Sequence, residues 1–68
     1  MTHTAINPWT GGAYEVATSC AMQAIESSAT TDECELVNLS GAFDSDAEWV
    51  EAFISLHGAE RFGALVAA

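Results

Sequence analysis

The chain has 68 residues, half of them apolar, with ten carboxylates facing a single Arg61 and a net charge of −9. A domain of this length buries only about 60% of the surface its unfolded form exposes, but the apolar half excludes disorder, which couples high charge to low hydrophobicity. With one cation the chain is expected neither to neutralise phosphates nor to approach an anionic membrane, so direct nucleic-acid binding is excluded as its job.

Thr2 to Ile6 carries β-branched residues ahead of Asn7-Pro8, where the residue before proline is pushed to extended geometry, and a short strand is expected there. Thr10-Gly11-Gly12 reads as a turn into a helix near 13–27, because Val16, Cys20 and Ala24, with Ala17, Ala21 and Ile25, recur at spacing four. After the polar loop Ser27–Thr31, the segment Cys34-Glu35-Leu36-Val37-Asn38-Leu39 suits a strand over 34–39, bounded by Ser40-Gly41. Ser45-Asp46-Ala47-Glu48 fits a capping box and opens a helix over 45–57, with Gly58 as its stop. A last helix over 60–67 follows, with Gly63 an unexplained weak point inside it.

Together these elements predict a single α+β domain over 1–68, with three helices and a small sheet around strand 34–39; an all-α bundle is the competing architecture. The expected core is Val16, Ile25, Leu36, Val37, Leu39, Phe43, Trp49, Val50, Phe53, Ile54, Leu56, Phe62, Leu65 and Val66. No apolar run approaches the ~18 residues of a membrane span, and Met-Thr-His-Thr lacks the basic start of a secretory signal, so a cytoplasmic location is expected. In that compartment Cys20 and Cys34 are expected as reduced thiols, although a pairing between them stays open.

Most chemical motifs fail on spacing. Counted as a calcium loop from Asp44, the sixth and twelfth positions are Trp49 and Ser55 rather than Gly and Glu. An acyl-carrier attachment serine is followed by Leu, whereas Ser45 is followed by Asp46. His3, Cys20, Cys34 and His57 lack the close pairing of structural zinc sites; His3 is expected near a mobile terminus and His57 at a helix end. No nucleophile elbow, phosphate loop or metal-binding His pair is present, so neither enzymatic activity nor a metal or other cofactor is expected.

The carboxylates are the remaining constellation. Asp44, Glu48 and Glu51 fall at steps of four and three along one helix edge, Asp46 extends it, and Asp32, Glu33 and Glu35 form a second cluster. Like charges at such spacings repel by a few tenths of a kcal/mol per pair. Two uses fit such rows: imitation of a phosphate backbone, which presents one charge per about 1.7 Å of duplex axis, or a well-solvated acidic face. The imbalance of ten to one favours the first. Asp32, Glu33, Glu35, Asp44, Asp46, Glu48 and Glu51 are therefore the candidate partner-binding residues, with Trp9 and Tyr14 as further aromatic anchors unless the core takes them.

The opening Thr-His-Thr-Ala-Ile-Asn-Pro-Trp-Thr-Gly-Gly and the acidic stretch Phe43-Asp44-Ser45-Asp46-Ala47-Glu48-Trp49 resemble the small acidic phage-encoded anti-CRISPR proteins, in particular inhibitors of type I and type I-C systems. The resemblance spans the chain and involves size and charge rather than a signature motif. It implies a stoichiometric inhibitor that acts in the cytoplasm of the infected bacterium, binds a DNA-binding subunit of a type I CRISPR surveillance complex and keeps target DNA out of its basic cleft. Two other classes share the composition: an antitoxin-like partner of a basic protein, and an acidic domain from a salt-adapted organism. Strong like charge favours a monomer in each case.

Overall fold

The computed structural model describes residues 1–67. Its elements are β1 (Thr2–Ile6), β2 (Ala13–Ala17), α1 (Thr18–Ser28), α2 (Thr31–Leu39), α3 (Asp46–His57) and α4 (Ala59–Ala67). This is an α+β fold in which four helices pack with one antiparallel hairpin.

The hairpin forms because Asn7 organises its own turn. The Asn7 side-chain carbonyl accepts from the Trp9 and Thr10 backbone N–H groups at 2.9 and 3.1 Å, and Gly11 takes the left-handed backbone the loop needs, at φ 76°. Thr2 then pairs with Ala17, Thr4 with Glu15 and Ile6 with Ala13, which fixes the register. On one face His3, Ala5 and Val16 turn inward; on the other, the Thr2 and Thr4 hydroxyls both donate to the Glu15 carboxylate.

The core consists of Ala5, Val16, Ala21, Ile25, Val37, Val50, Phe53, Phe62 and Leu65. Phe53 and Phe62 are wholly covered, and each contributes about 2–3 kcal/mol of transfer free energy. Helix α4 lies across β1, α1 and α3 pack beside it, and α2 sits at the periphery, its backbone against α3 alone.

Several sequence expectations change. Residues 13–17 are a strand rather than the first turns of a helix: the alternation Tyr14/Glu15/Val16 pairs with β1, and α1 starts only at Thr18. Residues 34–39 belong to helix α2, not to a sheet. Thr30 and Glu33 form the capping box that decides it, with the Glu33 N–H donating to the Thr30 hydroxyl at 3.2 Å and the Thr30 N–H donating to the Glu33 carboxylate at 2.9 Å. As a helix, this segment turns only Val37 fully inward, so Leu36 and Leu39 are 55% and 83% exposed instead of core; Leu56 on α3, also expected in the core, is 51% exposed. The helices expected over 45–57 and 60–67 stand as α3 and α4. Gly58 ends α3 at φ 97°, its N–H bonded to the Ile54 carbonyl.

His3 is not at a loose terminus. It is 1% exposed, with Nδ1 at 2.5 Å from Glu51 of α3 and Nε2 at 2.7 Å from the Thr18 hydroxyl at the start of α1. A carboxylate only accepts, so it is Nδ1–H that donates to Glu51.

Candidate acidic interface

The seven carboxylates singled out from the sequence divide into two groups by what they touch. Glu33 is committed twice: besides capping α2 it receives both the Arg61 Nε–H and an Nη2–H at 2.7 Å. The Arg61 fork and the Thr30 N–H hold the Glu33 carboxyl well below the usual carboxylate range, at about 2. The same pair raises the Arg61 guanidinium further. The chain's one cation is thus already used, and Glu33, with its side chain only 17% exposed, is withdrawn from any partner.

Glu51 is the acceptor for buried His3, although half of its side chain remains in solvent. Glu48 curls back so that its carboxylate accepts from the Asp44 N–H at 2.8 Å, while its own N–H donates to the Ser45 hydroxyl at 3.3 Å. Only one half of the expected capping box is therefore in place at Ser45; the carboxylate closes on the residue before it. Glu48 and Glu51 are accordingly engaged within the fold, and of the row Asp44, Glu48, Glu51 only the Asp44 carboxylate is left without a bond among the described residues.

Asp32, Glu35, Asp44 and Asp46 remain. All four are exposed, and among the described residues no hydrogen bond or ion pair engages their carboxylates. Asp32 and Asp46 lie in the first turns of α2 and α3, where a negative charge meets the positive helix end and gains about 0.3–1 kcal/mol. Glu35 and Asp44 have no such local benefit. Asp32 and Glu35 line a shallow depression with Leu36 and Leu39 on the outside of α2. Asp44 and Asp46 line a second one with Asn38, Gly41, Phe43, Ser45 and Trp49. The first depression runs along α2 to Leu39 and the second includes its neighbour Asn38, so Asp32 and Glu35 lie along the helix and Asp44 and Asp46 beyond its C-terminal end, and these four acids make up an acidic band.

The band has a firm base. Trp49 Nε1–H donates to the Asn38 side-chain carbonyl at 2.8 Å, linking α3 to α2 at one end, and its ring stacks on Phe53 at 5.9 Å. At the other end His57 packs on Phe53 at 4.6 Å and its Nε2–H donates to the Glu33 carbonyl at 3.0 Å. Two ties between antiparallel helices fix the angle at which α2 is presented.

Trp9 stands 76% exposed at the hairpin tip, whereas Tyr14 packs against the core. A strand over 34–39 would bury Leu36 and Leu39, which are surface residues; the signal that exposes them is Thr30-Thr31-Asp32-Glu33, a capping pattern as clear as the one at Ser45. Among the described residues no three His, Cys, Asp or Glu side chains are grouped to hold a metal ion, and no helix is long and apolar enough to cross a membrane. No protein-family model, curated protein or solved structure matches the chain.

Proposed function

We propose that this protein is a stoichiometric inhibitor that sets the acidic band Asp32, Glu35, Asp44 and Asp46 into a basic DNA-binding cleft of a type I CRISPR surveillance complex and so blocks target-DNA recognition. It acts by occupancy, without catalysis, as a monomer in the cytoplasm of the infected bacterium. The observation that carries the decoy role is the set of four exposed carboxylates with no cation beside them, on a chain whose single arginine is spent on Glu33. Such a surface loses stability through self-repulsion but gains encounter rate with a basic partner. The choice of a CRISPR complex as that partner comes from the resemblance of the opening segment and of Phe43–Trp49 to anti-CRISPR proteins.

The test is retention of purified type I surveillance complexes, type I-C among them, on the immobilised protein at low and high salt. Retention at low salt that weakens as salt rises supports the proposal, because exposed opposite charges are screened. Failure of every complex to bind sinks the CRISPR assignment and leaves the antitoxin class, which predicts a tight complex with one basic protein partner.

A further inference from the structure

The outer face of α2 combines charge with a feature that a simple phosphate mimic does not need. Asp32, Glu35, Leu36 and Leu39 stand at i, i+3, i+4 and i+7, which places all four on one stripe of the helix. Val37, Cys34 and Glu33 occupy the opposite side, toward α3 and Arg61. Leu39 is 83% and Leu36 55% exposed, side by side in one shallow depression whose other lining residues are the two acids.

A nucleic-acid-like surface has no use for two adjacent leucines, and a purely solvated face has no reason to display them together. We infer that the α2 stripe is a docking surface for a helical segment of a protein partner that carries leucine-like side chains flanked by arginine or lysine. This rests on the proposed partner being a basic protein, and it adds the chemistry of the contact. Charge complementarity selects the occupant. A second copy of this chain would bring another nine negative charges against the stripe with one arginine, already paired, to offset them. A basic, apolar segment places its cations against Asp32 and Glu35 and covers Leu36 and Leu39, in the way amphipathic helices seat themselves in grooves. The leucines then form the desolvated centre and the acids the rim, an arrangement in which truncating the apolar anchor weakens binding at any salt concentration and reversing a rim charge alters the salt dependence.

The experiment titrates isotope-labelled protein with a designed helical peptide bearing leucines on one face and arginines beside them, and follows backbone amide shifts. A peptide with serine at each leucine and a short DNA duplex are the comparison probes. The expected result is a shift pattern centred on Asp32, Glu35, Leu36 and Leu39, and about tenfold weaker binding for Leu39→Ser; Leu39 is exposed, so this variant keeps its fold. Equal binding of the serine peptide, shifts elsewhere on the molecule, or self-association through this face overturns the inference. The same variant separates it from the inhibitor proposal. If Leu39→Ser still blocks a surveillance complex while charge reversal does not, the docking stripe falls and the inhibitor stands. If no complex is blocked but the leucine peptide seats on α2, the inhibitor falls and the stripe stands.

Discussion

Gly63 of α4 lies directly over the Ile6 carbonyl of β1, so close that a Cβ on residue 63 would come 1.9 Å from that oxygen and 2.7 Å from its carbon. The backbones of helix and strand touch there, which is why a glycine interrupts an otherwise apolar helix. In an exposed helix, Gly63→Ala would stabilise by about 1 kcal/mol. Here we predict a net loss of at least about 2 kcal/mol, since α4 must lift off the hairpin. Gly41→Ala, whose Cβ meets only the Phe43 ring at 4.0 Å, is the matched control and is expected to change little. Urea unfolding of the two variants measures the difference, and equal midpoints would remove the close contact from the account.

His3 ties three elements through two hydrogen bonds, to Glu51 and Thr18, with no exposed side-chain surface. Its replacement by alanine leaves a cavity and removes both bonds, and a cost of about 2–4 kcal/mol is expected. Glu51→Ala costs about 1 kcal/mol, because truncating the half-exposed Glu51 lets water reach the Nδ1–H it leaves behind. A double-mutant cycle on the pair reads the coupling directly. A His3→Ala variant as stable as the parent would contradict the tie.

Glu33 sets a pH dependence. Its folded carboxyl sits at about 2 against an ordinary 4.5, so the pair with Arg61 stabilises fully above 4.5 and loses that contribution as pH falls from 4.5 toward 2. Glu33→Gln is expected to cost about 1 kcal/mol at neutral pH, a modest figure because the Arg61 side chain is 39% exposed. The difference between parent and variant should shrink across that acid window. A difference that holds steady through it would place the stabilisation elsewhere.

The strand over 2–6 and the last two helices are legible in the sequence. Ser45 and Gly58 bracket α3, and the apolar spacing of Phe62, Leu65 and Val66 predicts α4. Misreading is confined to segments whose local pattern serves two structures. Ala13 to Ala24 has spacing-four apolar residues throughout, yet β1 needs an antiparallel partner, and that pairing, remote in sequence, draws residues 13–17 into a strand. Over 34–39 the apolar content suggests strand, but the capping box at Thr30 and Glu33 commits the chain to helix before Cys34 is reached. The acidic composition is plain from the sequence. Which acids are spent internally is not, because the contacts Glu33–Arg61 and Glu51–His3 join residues 28 and 48 positions apart.

The two cysteines offer a direct check on the helix assignments. Cys20 is exposed on α1, whereas Cys34 is half-buried on α2, and burial, together with the Glu33 and Glu26 carboxylates, pushes its thiol up. Fewer thiolates form at Cys34, so a thiol-specific reagent is expected to modify Cys20 several times faster. Matching rates would contradict the placement of Cys34 against the inside of α2.

The role proposed for Asp32, Glu35, Asp44 and Asp46 is to keep target DNA out of a basic cleft. It is tested most directly by competition: labelled target DNA binding to a type I surveillance complex, with the parent protein and with Asp32→Lys, Glu35→Lys, Asp44→Lys and Asp46→Lys combined. The variant keeps Glu33, Glu48 and Glu51, and with them the internal ties of the fold. The parent is predicted to block DNA stoichiometrically at low salt and less well at high salt, and the folded variant to leave DNA binding intact. A variant that blocks as well as the parent, or a parent that leaves DNA binding unchanged, would contradict the claim.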